Sequence, residues 1–213
     1  MRKVIIIIFI IILVLFIFHN IFYDIESFEV GNVDKLYFKK TQTYNKIWYN
    51  MDKDYSIWEP ESDGEFYPIG NIFVKGNLPP TKPGLLIKSN SNNQQDRPKG
   101  YEIVNYILLP KEIDGINKIG IWKPIPYEGY QNMGYIFQLG HHQPSIHRVR
   151  CVPDLFIKLS SIENMLIEED CHIKNIKGYN LWSIYDSDYF IGNDKNNHKE
   201  PKERVYKIRD KFL

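Results

Sequence analysis

One stretch of this chain repeats itself at a fixed distance, and that repeat limits the fold more than any other feature. Residues 56–80 and 120–144 superpose at a constant offset of 64 without a gap. Ile57, Trp58, Pro60, Gly70, Ile72, Phe73, Gly76 and Pro80 recur as Ile121, Trp122, Pro124, Gly134, Ile136, Phe137, Gly140 and Pro144, and Phe66 is answered by Tyr130. Coincidence at Trp, Pro and Gly together is hard to obtain by chance, so the two segments share one backbone path. A third, decayed copy begins at Leu181 and Trp182, where Tyr189, Phe190, Ile191 and Gly192 echo Tyr67, Pro68, Ile69 and Gly70. On that alignment it is two residues shorter between Trp and Gly. A unit this small cannot bury a core alone. The expectation is therefore one domain over residues 24–213, built of three related units near 46–88, 102–159 and 166–213.

Within a unit the pattern is strand and turn. An apolar strand around the Trp stops at Pro, which removes a ladder donor, and a second aromatic strand ends at Gly. The spacing predicts strands at 71–75, 85–88, 102–109, 135–139, 145–152, 156–159 and 205–208, with an exposed loop at 89–100. Residues 161–170 are the nearest approach to a short helix. Aromatic residues make up 15% of the chain and alanine is absent, which favours strands over long helices. The fold class expected is all-β, β-prism-like or β-sandwich-like, after an N-terminal transmembrane helix.

That helix is read from an unbroken apolar run at 4–18 behind Arg2 and Lys3, resuming at Ile21, Phe22 and Tyr23. Residues 4–23 would span a hydrocarbon core of roughly 30 Å. No small-x-small cleavage site follows, so residues 1–23 read as an uncleaved signal-anchor, with secretion after cleavage as the alternative. The basic pair would stay cytoplasmic, placing the main domain in a lumen or outside as a single-pass protein. Twenty-seven basic against 26 acidic residues leave a net charge of +1. Such balance lacks the positive footprint of a nucleic-acid binder. Cys151 and Cys171 read either as one disulfide of an oxidising compartment or as small apolar residues.

Few residues suggest chemistry. His141, His142 and His147, with Cys151 as a fourth ligand, could be imagined around zinc, but they read better as exposed turn and strand residues. Glu59, Glu61, Asp63 and Glu65 form an acidic run whose spacing alone does not make a carboxylate pair for hydrolysis. No phosphate-binding glycine loop, nucleophile elbow or Cys-x-x-Cys pair is present. The chain is accordingly expected to be no enzyme and to need no cofactor or metal. Trp58, Trp122 and Trp182 are expected to pack near a common axis, with Gly70 and Gly134 as structural turn positions. Arg148, Arg150 and Lys158 alternate along strand faces and could touch phosphate groups or simply face water. Candidate ligand contacts fall in loops at 61–65 (Glu61, Glu65), 76–80 (Asn77), 127–130 (Tyr127, Tyr130) and 140–145 (His141, His142), where strand-linked modules place them.

The residues Ile121, Trp122, Lys123, Pro124, Ile125, Pro126, Tyr127, Glu128, Gly129 and Tyr130, then Gly134, Pro144 and Ser145, and finally Val149, Arg150, Cys151 and Val152, resemble the signature of the Vps62-like family. They are also similar to the related repeats in the adaptor-binding region of Vps13-type lipid-transfer proteins. The similarity covers residues 33–192. The first unit departs where Glu59, Pro60 and Glu61 replace a Pro-x-Pro element and Glu65 and Phe66 replace Gly-Tyr. The resemblance implies an all-β module without known catalysis, tied to vacuolar or endosomal sorting, adaptor recognition and membrane contact. The expected partners are a membrane through residues 4–23 and a protein adaptor, acidic lipid or glycan. A carbohydrate-binding β-prism and a structural surface or envelope protein are the alternatives.

Overall fold

The computed structural model describes residues 25–28, 36–89, 94–113, 115–169, 179–187, 189–194 and 201–212. The segment 1–23 expected to form a signal-anchor lies outside them. Among the described residues no helix is long and apolar enough to cross a membrane.

The chain enters through strands β1 (Ile25–Phe28) and β2 (Leu36–Thr41). The first unit follows with β3 (Tyr44–Asn50), β4 (Tyr55–Pro60), β5 (Tyr67–Pro68), β6 (Ile72–Lys75) and β7 (Gly84–Ser89). The second runs through β8 (Gly100–Ile113), β9 (Ile116–Ile125), β10 (Tyr130–Gln131), β11 (Ile136–Leu139) and β12 (Val152–Pro153). A one-turn 3-10 helix at Asp154–Phe156 leads to β13 (Ile157–Ser160), β14 (Ile162–Glu169), β15 (Tyr179–Ile184), β16 (Phe190–Asp194) and β17 (Val205–Ile208), and a second 3-10 turn covers Asp210–Phe212. All named strand pairs are antiparallel, and among the described residues they form several small sheets and no closed barrel.

Each unit contributes one three-stranded sheet: β3-β4-β6, β8-β9-β11 and β14-β15-β16. The middle strand of each carries the repeated tryptophan, opposite the same kind of partner: Trp58 faces Ile72, Trp122 faces Ile136, and Trp182 faces Ile191. Side chains alternate across a strand. The residue before each tryptophan therefore points the other way, and Ile57, Ile121 and Leu181 are fully buried in one shared core. Two positions earlier, Tyr55, Ile119 and Tyr179 share that face, and the hydroxyls of Tyr55 and Tyr179 lie 2.9 Å apart, so each buried hydroxyl finds a partner. Each of these large side chains contributes about 1.5–3 kcal/mol of burial, which three separate sheets could not collect on their own.

A second core fills the space behind the remaining sheets, one of four strands and two of two, where Phe38, Phe156 and Phe212 pack around Leu36, Ile87, Ile157 and Ile208. In it, β7 pairs with β2 on one side and β5 on the other, β12 pairs with β10, and β17 pairs with β13.

The three units meet where Asn71, Tyr135 and Phe190 stand at equivalent positions. The Asn71 N–H donates to the Tyr135 carbonyl at 3.3 Å, and the Tyr135 N–H donates to the Phe190 carbonyl at 3.0 Å. One residue earlier stand Gly70, Gly134 and Tyr189. A Cβ on Gly70 would come 3.2 Å from the Tyr189 ring, and one on Gly134 would come 3.1 Å from the Tyr189 Cβ. The two glycines thus leave room for the single tyrosine.

This register corrects the third copy. Ile191, and not a residue three places later, matches Ile72 and Ile136, so Tyr189 replaces the repeated glycine and Gly192 falls opposite Leu181. Fourteen positions separate Trp58 from Ile72 and Trp122 from Ile136, but nine separate Trp182 from Ile191. The third unit is five residues shorter there, not two. Residues 161–170, read as a short helix, instead hold β14, because their apolar residues pair along β15. The strand expected at 145–152 shrinks to β12, preceded by turns, and the one expected from residue 156 starts at Ile157 after the 3-10 turn. The loop at 89–100 is not wholly exposed, since Asp96 is 7% accessible. Cys151 is a free, buried thiol, and Cys171 lies outside the described residues.

Candidate functional site

The local turn chemistry of the first unit shows how the acidic run is used. The Asp63 carboxylate accepts the N–H groups of Glu65 and Phe66 at 3.0 and 2.8 Å, which ties the turn before β5. Lys39 reaches Asp63 at 2.8 Å and Lys88 reaches Glu65 at 2.9 Å, and both ammonium groups lie over the Phe66 ring, at 5.7 and 5.8 Å from its centre. Partial burial raises the Asp63 carboxyl, but the Lys39 and backbone hydrogen bonds outweigh it and hold its pKa down at about 2. Glu59 turns away from this group. It meets Arg148 at 2.7 Å and accepts from the Asn71 amide at 3.0 Å.

Two arginines named as phosphate contacts are engaged inside the protein. Arg148 bonds Glu59 and Gln138. Arg150 is 4% exposed, pairs with Asp96 at 3.0 Å, stacks on Tyr67 at 3.6 Å and donates to the His147 and Val149 carbonyls. Burial pulls the Arg150 pKa down and pushes the Asp96 carboxyl up, each against the attraction of the other. These contacts clamp the second unit onto the first, and the Arg150 N–H donates to the Pro68 carbonyl of β5 at 2.9 Å.

The remaining sequence candidates stay scattered. Glu61 is exposed and its N–H donates to Thr43, Asn77 accepts from Lys46 at 2.7 Å, Tyr127 is 40% exposed beneath Lys99, and Tyr130 is buried. His141 and His142 are exposed with ring centres 4.0 Å apart. Among the described residues no three His, Cys, Asp or Glu side chains converge as metal ligands. Trp58 donates to the Ser56 hydroxyl at 2.7 Å and carries Lys46 over its ring, outside the shared core that holds Ile57. Trp122 packs with Tyr101, Ile136 and Val149, and Trp182 borders the shared core; the indole N–H groups of both are buried without an acceptor among the described residues.

A cavity of about 330 Å³ opens elsewhere, lined mainly from the first and third units with Met133 of the second. Ile72, Leu85, Met133, Tyr189 and Ile208 give it an apolar floor, and Pro83 and Gly84 line one wall. Lys40, Lys82 and Lys207 stand at its rim with Asp186, Ser187 and Asp210. Lys207 meets Asp186 at 2.6 Å and Lys158 meets Asp210. Those hydrogen bonds raise the Lys207 pKa and lower those of Asp186 and Asp210, so all three stay charged at neutral pH. A volume near the lower end of the ligand-pocket range, an apolar floor and a few charged groups are the ingredients of a binding site for part of a larger molecule. No sequence candidate lies in it. The signal that could have found it is the shortened third unit.

Several comparisons place the fold among known proteins. The family described as vacuolar protein sorting-associated protein 62 matches residues 23–189. No curated protein matches the chain. Among solved structures, GNIP1Aa from Chromobacterium piscinae is similar with a TM-score of 0.64 at 14% identity, over 82% of this chain and 37% of that one. The likeness is one of fold, and the chain spans well under half of that protein. With the family match running from the residue before β1's approach through all three tryptophan strands, this chain belongs to the Vps62 family.

Proposed function

We propose that the protein is a non-enzymatic recognition module for protein or lipid ligands, working in membrane sorting, with its three units arranged as a β-prism. Membership of a vacuolar-sorting family supports a binding or sorting role. The observation that carries the reading is the cavity where the units meet, with Lys40, Lys82 and Lys207 beside Asp186 and Asp210 around an apolar floor. A ligand with an apolar group and a negative charge would satisfy both parts. The apolar run at 4–18 supports a setting at a membrane, with the anchor as part of the proposal.

The test is a binding screen of the full-length chain against a peptide array and against phosphatidylserine–phosphatidylcholine vesicles, repeated with Ser187→Trp, which places an indole in the cavity mouth. Binding by the parent that Ser187→Trp removes, with unchanged melting, supports the reading. Equal binding by both, or none by the parent, contradicts it.

A further inference from the structure

The cavity coincides with a strand that the third unit lacks. In the first unit β5 lies along β7, with Tyr67 opposite Ile87 and Pro68 opposite Leu86. In the second, β10 lies along β12. The third unit loses five residues in this interval, between Trp182 and Ile191, and the Ile184 N–H closes the gap on the Tyr189 carbonyl at 3.2 Å. Its counterpart of β7 is β17. β7 pairs with β2, the strand just before the first unit's sheet, and β17 pairs with β13, the strand just before the third unit's sheet, and the pairs Phe38–Ile87 and Ile157–Ile208 occupy the same core. On that equivalence Ile208 stands for Ile87 and Lys207 for Leu86, the two residues that β5 covers.

Both Lys207 and Ile208 line the cavity. Neighbouring residues of a strand point to opposite faces, so a cavity touching both runs along the strand's edge. Among the described residues β17 pairs only with β13, which leaves that edge without a strand. The opposite bank is similar. β5 pairs only with Leu86 and Ile87 of β7, and the cavity begins beside Gly84 and Leu85, which β5 does not reach. Just as β5 sits between β7 and the second unit's Arg150 N–H, the cavity sits between β17 and the start of β7.

We propose that this cavity is a vacant strand position that binds an extended peptide segment of a partner protein, added along the edge of β17. The proposal rests on the recognition reading above and narrows it to a peptide. The occupied position in the first unit shows the chemistry the slot is built for. There the resident segment presents Asp63 and Glu65 to Lys39 and Lys88 and buries Phe66 beneath the two ammonium groups. The vacant position has the matching elements. Among the described residues Lys40, Lys82 and Lys207 line it with Asp186 and Asp210, Lys207 being held by Asp186, and Met133 and Leu85 floor it. The partner segment is accordingly acidic, with an aromatic or large apolar residue between or beside its carboxylates. Main-chain bonds to an exposed edge supply affinity and alternate side chains supply specificity, as in other strand additions.

The probe is a fluorescein-labelled peptide of residues 61–68, the resident segment itself, titrated into the full-length chain by anisotropy beside a scrambled peptide. Saturable binding of the native order is expected. Lys207→Glu should weaken it about tenfold or more. Inserting a copy of residues 64–68 between Asp186 and Ser187 should restore the missing strand and abolish binding without lowering the melting temperature. If that insertion disturbs folding, Lys207→Glu and Ser187→Trp still decide the matter. Equal binding of the scrambled peptide, or binding unchanged in all variants, overturns the proposal. Absence of peptide binding together with vesicle binding that Ser187→Trp removes overturns the peptide and leaves the recognition reading standing. Absence of both overturns the two together.

Discussion

Replacing Arg150 by methionine removes a group held on every side. Its guanidinium is 3.0 Å from the Asp96 carboxylate and 3.6 Å from the centre of the Tyr67 ring, and it satisfies the His147 and Val149 carbonyls. Methionine keeps the apolar stem but leaves Asp96, 7% accessible, as a charge without its partner. Breaking a buried pair from one side costs about 3–5 kcal/mol. For a domain of this size that is a fall of roughly 6–20 °C in melting temperature. The assay is urea and thermal unfolding followed by tryptophan fluorescence. The defect should also depend on pH. The unpaired Asp96 has a folded pKa above its unfolded value of about 3.9, so the penalty is absent below that value and grows as pH rises towards the folded pKa. Asp96→Asn combined with Arg150→Met should recover part of the loss. An Arg150→Met protein within about 0.5 kcal/mol of the parent, the usual range for surface substitutions, would refute the account of Arg150 as an internal clamp. Binding of the peptide of residues 61–68 should be unchanged in any Arg150→Met protein that remains folded.

Three further outcomes follow from the same structure. Gly134→Ala places a Cβ 3.1 Å from Tyr189 and 3.2 Å from the Phe190 carbonyl, so equilibrium unfolding should show a loss of about 1–3 kcal/mol from overpacking, and Tyr189→Gly in the same chain should relieve the clash. Asp63, with its pKa held down at about 2, contributes stability that is present above the unfolded value of about 3.9 and is lost as pH falls through about 2; because the group is well exposed, Asp63→Asn should flatten that acid limb only slightly. Cys151 is fully buried and its pKa is pushed up to about 12, first by burial and then by Asp96, so a thiol reagent at pH 8 should label it only at the rate of global unfolding.

The repeat makes much of the architecture legible in the sequence. Residues around Trp58 and Trp122 define matching strands because their inward partners, Ile57 and Ile121, must meet in a core that neither unit owns. The third copy misled because Gly192 looks like the repeated glycine, while the physical constraint is the pairing of Trp182 with Ile191 across two strands. Local spacing also misjudged 161–170, where pairing with β15 decides the conformation. Arg148 and Arg150 alternate like an exposed strand face, yet their partners Glu59 and Asp96 are distant in the chain and carry no local signature. The cavity was illegible for the same reason. Lys40, Lys82, Met133, Asp186 and Lys207 come together only through the packing of three units, and the one hint, a missing strand, depends on aligning the third unit correctly.

The most direct measurement is a map of backbone amide shifts in the isotope-labelled full-length chain as the peptide of residues 61–68 is added. A vacant strand position predicts saturable shifts centred on Lys207 and Ile208 of β17 and on Gly84 and Leu85 of β7. Shifts centred on Tyr127, His141 and His142 instead, or none anywhere, would contradict it.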